Sequence, residues 1–232
     1  MKKIGIIGAM ELEVATLKSK MQNITITKKA GREYFEGVLN GVDVVVVQCG
    51  IGKVNAGICV QALVDLFQVT HIINTGVAGS LDAQIDIGDI VVSTDAIYHD
   101  YDVTIFGYSY GEVAQLGVKS FQADERMIRL AKESCEKVNP DIRVFQGRIA
   151  SGDQFISTAE AKNKIIENVG GSCAEMEGAA IAHAAFLNEI PFVIIRAISD
   201  KADDSAEEDY PTFEKKAAEH SARLVEDFIL QI

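Results

Sequence analysis

The most constraining feature of the chain is a run with no polar face. Residues 44–50 read VVVVQCG and residues 192–200 read FVIIRAISD. Successive side chains of a strand point to opposite sides of its sheet, so a half-buried strand alternates apolar with polar residues. Four valines in a row do not alternate. Strands of this kind are covered on both faces, as happens when a sheet lies between layers of helices.

Further β-branched runs give strands at Lys3–Gly8, Val42–Cys49, His71–Asn74, Asp89–Thr94, Arg143–Ala150 and Phe192–Ala197. Asn40-Gly41, inside AGREYFEGVLNGVDVVVV, is a strong hairpin-turn signal. Between the strands, helices are expected at Glu11–Met21, Lys53–Phe67, Asp124–Val138, Ala159–Val169, Glu177–Leu187 and Thr212–Ile229. In Asp124–Val138 the residues Met127, Leu130, Ala131, Ser134 and Val138 make one stripe, with charged residues elsewhere. The last helix is placed after Pro211, because proline favours the first helical position. Strand and helix therefore alternate. The pattern predicts an α/β fold: one domain over residues 1–232, with a mostly parallel twisted central sheet and helices on both faces.

Composition narrows the partners. A net charge of −12 disfavours nucleic acid and anionic membrane surfaces. The four cysteines and four histidines show no metal-ligand spacing, so neither metal nor cofactor is expected. The opening MKKIGIIGAMELEV is interrupted by Glu11 and Glu13 too early for a signal-peptide core. No apolar stretch approaches the roughly 20 residues of a membrane helix. A cytoplasmic protein without a membrane partner is expected.

In sheets of this class ligands bind beyond the carboxyl ends of the strands. Those ends read GAMELEV, CGIGKVNAG, NTGVAGS, ASGDQFI and RAISD. GIGK is not a phosphate-binding P-loop: the upstream glycine position holds Val47, and Val54 follows Lys53 where Ser or Thr is needed. GIIGAM likewise lacks the dinucleotide-binding spacing. Two acidic features stand out. Glu13 falls in the first turn of a helix, where a carboxylate is ordinary decoration, and Asp200 follows an apolar strand, where an aspartate is an ordinary turn former. A third, Glu175-Met176-Glu177, opens a helix of small residues.

Eight blocks in order resemble the 5′-methylthioadenosine/S-adenosylhomocysteine nucleosidases, within the wider purine nucleoside phosphorylase superfamily. They are KIGIIGAMELEV, GIGKVNAG, INTGVAGS, GDIVVS, YHDYDVTIFGYSYG, SGDQFI, AEMEGAAIAH and PFVIIRAISD. The resemblance runs nearly end to end. It implies a nucleoside phosphorylase-like fold that hydrolyses the N-glycosidic bond of adenosine thioethers, releasing adenine and a thioribose in methionine salvage. A purine nucleoside phosphorylase of the same superfamily is the alternative.

The resemblance also implies roles for single residues. Asp200 protonates the leaving adenine and Glu13 activates the attacking water, a division of acid and base that glycoside hydrolysis also uses. Phe155 stacks on the base, the Ile156 backbone bonds its polar edge, and Ser199, Ala78 and Gly79 complete that end. Glu177 takes the ribose hydroxyls, with Met176 against the sugar. Met10, Ile51, Met176 and Phe213 line the 5′ end. Tyr108 is implied to reach the neighbouring subunit's site, which makes the protein a homodimer. Glu175 is expected to be structural and to pair with Arg196, since a buried arginine needs a partner. Val77 and Ser80 depart from the family pattern.

Overall fold

The computed structural model describes residues 2–232. Its strands are β1 (Ile4–Gly8), β2 (Gln22–Lys29), β3 (Arg32–Leu39), β4 (Val42–Gln48), β5 (His71–Ser80), β6 (Ile90–Tyr98), β7 (Phe121–Gln122), β8 (Val144–Ser151), β9 (Cys173–Glu175) and β10 (Phe192–Asp200). The helices are α1 (Glu11–Lys20), α2 (Lys53–Phe67), α3 (Glu125–Val138), α4 (Ala159–Asn168), α5 (Gly178–Leu187) and α6 (Ala206–Phe228).

The valine run behaves as its sequence requires. Val44 and Val46, with Ile4 and Ile6 of β1, pack against Leu17 of α1 and Leu224 and Phe228 of α6. Val45 and Val47, with Ile7, face the opposite way onto Val60 and Leu63 of α2 and Ala182 of α5. Each strand thus feeds two apolar layers, and a polar residue on either face would be buried without a partner. Among the described residues, no helix is long and apolar enough to cross a membrane.

The sheet is parallel through its centre, where β1 pairs with β4 and β5, and β5 pairs with β10. β6–β8 and β8–β9 are parallel too. The antiparallel pairings come from the β2–β3–β4 meander and from β10–β6, β5–β9 and β6–β7. Because β5 pairs with both β9 and β10, the strands β5, β10, β6, β8 and β9 close into a ring, with β1, β4, β3 and β2 extending from it. The Asn40-Gly41 turn has φ of 51° and 84°, the double left-handed geometry of a tight hairpin.

Four features differ from expectation. β5 does not stop at Asn74 but continues through the two glycines of TGVAGS to Ser80, held by β10 along its length. β6 and β10 also run on, to Tyr98 and Asp200, so Ser199 and Asp200 are strand residues rather than loop residues. β7 and β9 span two and three residues and carry no readable strand signal, whereas β2, with its alternating Ile24-Thr25-Ile26-Thr27, was not expected although its pattern is strand-like. Finally, α6 starts at Ala206, not after Pro211, which lies inside it. A proline there forfeits a single i→i−4 bond, and the Ser205 hydroxyl anchors the turn before it by donating to Asp209 at 2.7 Å.

Candidate active site

A cavity of about 350 Å³ opens where β1, β5, β9 and β10 end. It is lined by Met10, Glu13, Ile51, Ala78, Gly79, Phe155, Met176, Glu177, Ser199 and Asp200, so these ten expected residues come together. Ile156 borders a narrow annex of about 30 Å³, which shares Gly79, Phe155 and Asp200 with the main cavity. Asp200 therefore faces both spaces, whereas Glu13 lines only the larger one.

Glu13 is the third residue of α1 and reaches back over the helix start. Its Oε2 accepts from the Ala9 and Met10 N–H groups at 2.6 and 2.9 Å, and its Oε1 accepts from Val77 N–H at 3.1 Å. The helix-decoration reading is thus also true, but the third donor comes from β5. A carboxylate offers about four acceptor positions. Three are filled, which leaves one on Oε1. Burial pushes this carboxyl upward, while the Arg196 charge and the three N–H groups pull it down.

Asp200 closes β10. Its Oδ1 accepts from Ala202 N–H at 2.8 Å and its Oδ2 from the Ser199 hydroxyl at 2.9 Å. Burial outweighs both bonds and raises its pKa above the ordinary aspartate value, the shift a proton donor needs. Two glycines of β5 make room for the two carboxyls. A methyl on Gly76 would stand 2.5 Å from Glu13 Oε1, and one on Gly79 would stand 2.5 Å from Asp200 Oδ1.

β9 delivers Glu175, and the residues after it carry Met176 and Glu177. Glu175 accepts from the Arg196 guanidinium, the Ser151 hydroxyl and the Gly178 N–H. It is held as the expected structural pair, although it also borders the cavity. Arg196 donates in addition to Asn74 Oδ1 and lies fully inside the protein. Glu177, which lines the cavity, accepts from Gly52 N–H through Oε1 at 2.7 Å. Burial first, and the Glu175 charge second, push Glu177 upward. The N–H of Lys53 is taken by Asp153 at 2.8 Å. The GIGK turn therefore offers its donors to carboxylates, not to a phosphate.

Two expected residues stand elsewhere. Phe213 does not line the cavity; it packs beside Ile87, Gly88 and Ile198 in a separate recess. Its place is filled by Tyr210, one turn earlier on α6, whose ring meets Phe155 edge-on at 5.7 Å and whose hydroxyl donates to Met10 Sδ at 3.2 Å. Phe213 was implied by the resemblance; residues 210 and 213 lie about 60° apart around a helix, so only one of them faces the cavity. A helix begun at Ala206 puts Tyr210 on the inner face. Tyr108 lies outside the cavity lining within the chain; its hydroxyl accepts from Gln115 N–H at 3.3 Å. Ala9 and Ala174 are further lining residues that carried no sequence signal of their own, and Val77, noted as a departure from the family pattern, lines the cavity too.

Among the described residues, the charged side chains lining the cavity are all carboxylates, Glu13, Glu175, Glu177 and Asp200. Such a lining favours an uncharged or cationic ligand over an anion.

Comparison with known proteins agrees with this geometry. Residues 3–230 match the family described as the phosphorylase superfamily. A 5′-methylthioadenosine/S-adenosylhomocysteine nucleosidase of Staphylococcus aureus (strain MRSA252) is 41% identical over 230 residues, covering 99% of this chain and 100% of the relative. A crystal structure of such a nucleosidase from Colwellia psychrerythraea 34H, in complex with adenine, superposes with a TM-score of 0.96 at 41% identity, covering 99% of this chain and 95% of that one. The Neisseria meningitidis enzyme in complex with methylthio-immucillin-A gives 0.96 at 38% identity, with both chains fully covered. The chain belongs to the phosphorylase superfamily and, within it, to the 5′-methylthioadenosine/S-adenosylhomocysteine nucleosidases.

Proposed function

We propose that residues 1–232 act as one nucleosidase domain that hydrolyses 5′-methylthioadenosine and S-adenosylhomocysteine to adenine and the corresponding thioribose. The observation that carries this reading is the opposition of two buried carboxyls, Asp200 beside the annex and Glu13 away from it. The main cavity has the volume for a nucleoside, and its end beside Asp200, walled by Phe155, Gly79 and Ala174, receives the flat purine.

With the base seated there, neutral Asp200 donates its proton to adenine N7 as the C1′–N9 bond breaks. Glu13 uses its remaining acceptor position to hold a water, takes a proton from it, and lets the oxygen bond to C1′. The two proton transfers balance, and solvent returns both groups to their starting states. Glu177 takes the ribose hydroxyls, and Met176 lies against the sugar. Met10, Ile51 and Tyr210 surround the 5′ thioether. Water is favoured over phosphate as nucleophile, because the described cavity lining holds no Lys or Arg to receive that anion and the ionised Glu13 would repel it.

The test is product analysis in phosphate-free buffer: free adenine and a reducing sugar are expected, and turnover only on adding phosphate would favour the phosphorylase alternative. Gly79→Ala should lower kcat by about tenfold to a hundredfold, since its methyl would stand 2.5 Å from Asp200 Oδ1 and 2.8 Å from Ala202 Cβ and so force the carboxyl out of position by the better part of an ångström. Steady-state rates beside a thermal melt check this; an unchanged kcat would dissociate Gly79 from the acid.

The same reading places the enzyme in the cytoplasm, in methionine salvage, and as a homodimer in which Tyr108 reaches a neighbouring site. Its segment carries Ile105 and Phe106, 88% and 76% exposed in the single chain, apolar groups that a second copy would cover.

A further inference from the structure

Asp200 receives one of its hydrogen bonds from the turn that follows it, and that turn is gripped from behind. Ala202 N–H donates to Asp200 Oδ1 at 2.8 Å. The carbonyl of the same peptide group, Lys201 O, accepts from Lys162 Nζ at 2.6 Å. An ammonium, a peptide and a carboxyl are therefore linked in series. Lys162 belongs to the first turn of α4, which Thr158 caps by accepting from Ala161 N–H at 3.2 Å. Its side chain is only 16% exposed, and Asp203 Oδ2 stands 4.0 Å away, so the carbonyl is the closer partner.

The turn needs such a grip. Ala202 is buried with φ of 50°, in the left-handed region that residues with a side chain seldom adopt. The ammonium of Lys201 itself is taken up by Ile85 O at 2.8 Å and Asp86 Oδ1 at 2.7 Å. The other charges acting on the pair are acidic: Asp203 and Asp209 on Asp200, Asp203 and Asp82 on Lys162, with Glu13, Glu175 and Glu177 lining the cavity. Hydrogen bonds in series polarise one another where water is excluded, and an ionised donor makes the strongest of them. The Lys162 ammonium draws electron density onto Lys201 O, which makes Ala202 N–H a better donor to the carboxyl. Resting on the hydrolase reading above, we infer that Lys162 is a positioning residue for the acid, acting through the Lys201–Ala202 peptide to hold the Asp200 carboxyl and to set how readily it gives up its proton.

The experiment follows kcat, KM and the pH profile of 5′-methylthioadenosine hydrolysis in the unaltered enzyme, Lys162→Met, Lys162→Arg and Lys164→Met. Lys162→Met should lower kcat by about tenfold at neutral pH and leave KM within about twofold, because the contact serves the proton transfer and not the binding of substrate. Its alkaline limb should move up by about one pH unit, as expected when a cation and a charge-assisted hydrogen bond that favour the carboxylate are lost together. Lys162→Arg, which donates to the same carbonyl and keeps its charge, should restore both. Lys164→Met removes an exposed cation of the same helix and should change neither. Lys162→Gln, a neutral donor, should move the limb by less, and it carries the test if the methionine variant does not fold. A limb that stays in place in Lys162→Met, or moves equally in Lys164→Met, would overturn the inference. If Asp200→Asn kept its alkaline limb, the reading of Asp200 as the acid would fall first.

Discussion

Asp200→Asn should lose between about a hundredfold and ten-thousandfold in kcat, the span typical of removing a positioned general acid. Asparagine keeps the shape: its oxygen can still accept from Ala202 N–H, while its amide nitrogen stands where Oδ2 was and can donate to the Ser199 hydroxyl oxygen instead. It has no proton to give. Binding of adenine or a substrate analogue should therefore stay within about tenfold of the unaltered protein, measured by calorimetry. The pH profile adds a second readout. Activity carried by a neutral Asp200 falls as pH rises through its raised pKa, so this alkaline limb should vanish from the residual rate of the variant.

Stability should move the other way. A carboxyl whose folded pKa lies above its unfolded value adds stability that is whole below the unfolded pKa and lost as pH rises through the folded one. Asp200 is such a group, and asparagine is indifferent to pH. Chemical denaturation near pH 8 should find the variant at least as stable as the parent. Activity within tenfold of the parent, or a collapse of the fold, would remove Asp200 from its role.

The second large effect concerns Arg196→Met. The buried guanidinium donates to Glu175 and Asn74, and its charge pulls down the carboxyls of Glu13 and Glu177. Removing one partner of a buried pair strands the other charge and costs about 3–5 kcal/mol. In a chain of this length that corresponds to a fall of roughly 10 °C in Tm. The loss should be greatest at neutral and alkaline pH. Without the cation, Glu13 and Glu177 shift further up, and the stability they withhold grows as pH rises. Arg196→Lys should recover only part of it, because an ammonium lacks the fork that serves both partners. Melts across pH 5–8 test this, and a deficit independent of pH would contradict it.

Much of this was legible in the sequence for physical reasons that can be named. Val44–Val47 announced a sheet covered on both faces because no other arrangement hides four valines. Asn40-Gly41 announced its hairpin because both residues accept left-handed backbone. What escaped depended on partners distant in the chain. Gly76 and Gly79 looked like a loop, yet they hold β5 straight because two carboxyls occupy the space of their missing side chains. Phe213 was carried over from the family resemblance, whereas α6, which starts at Ala206, brings Tyr210 to the cavity. β9 has three residues and exists only because β5 and β8 flank it.

The terminal position of β2 in the sheet order leaves one flank of its backbone without a neighbouring strand. Such a border invites another molecule to add itself and grow a fibre. Here the register slips between Gln22 and Thr25, where Asn23 turns left-handed, and Lys28 and Lys29 charge the far end. Ile24 and Ile26 can consequently stay in water without recruiting copies of themselves. A kink and two lysines thus blunt this border at a place remote from the protein's chemistry.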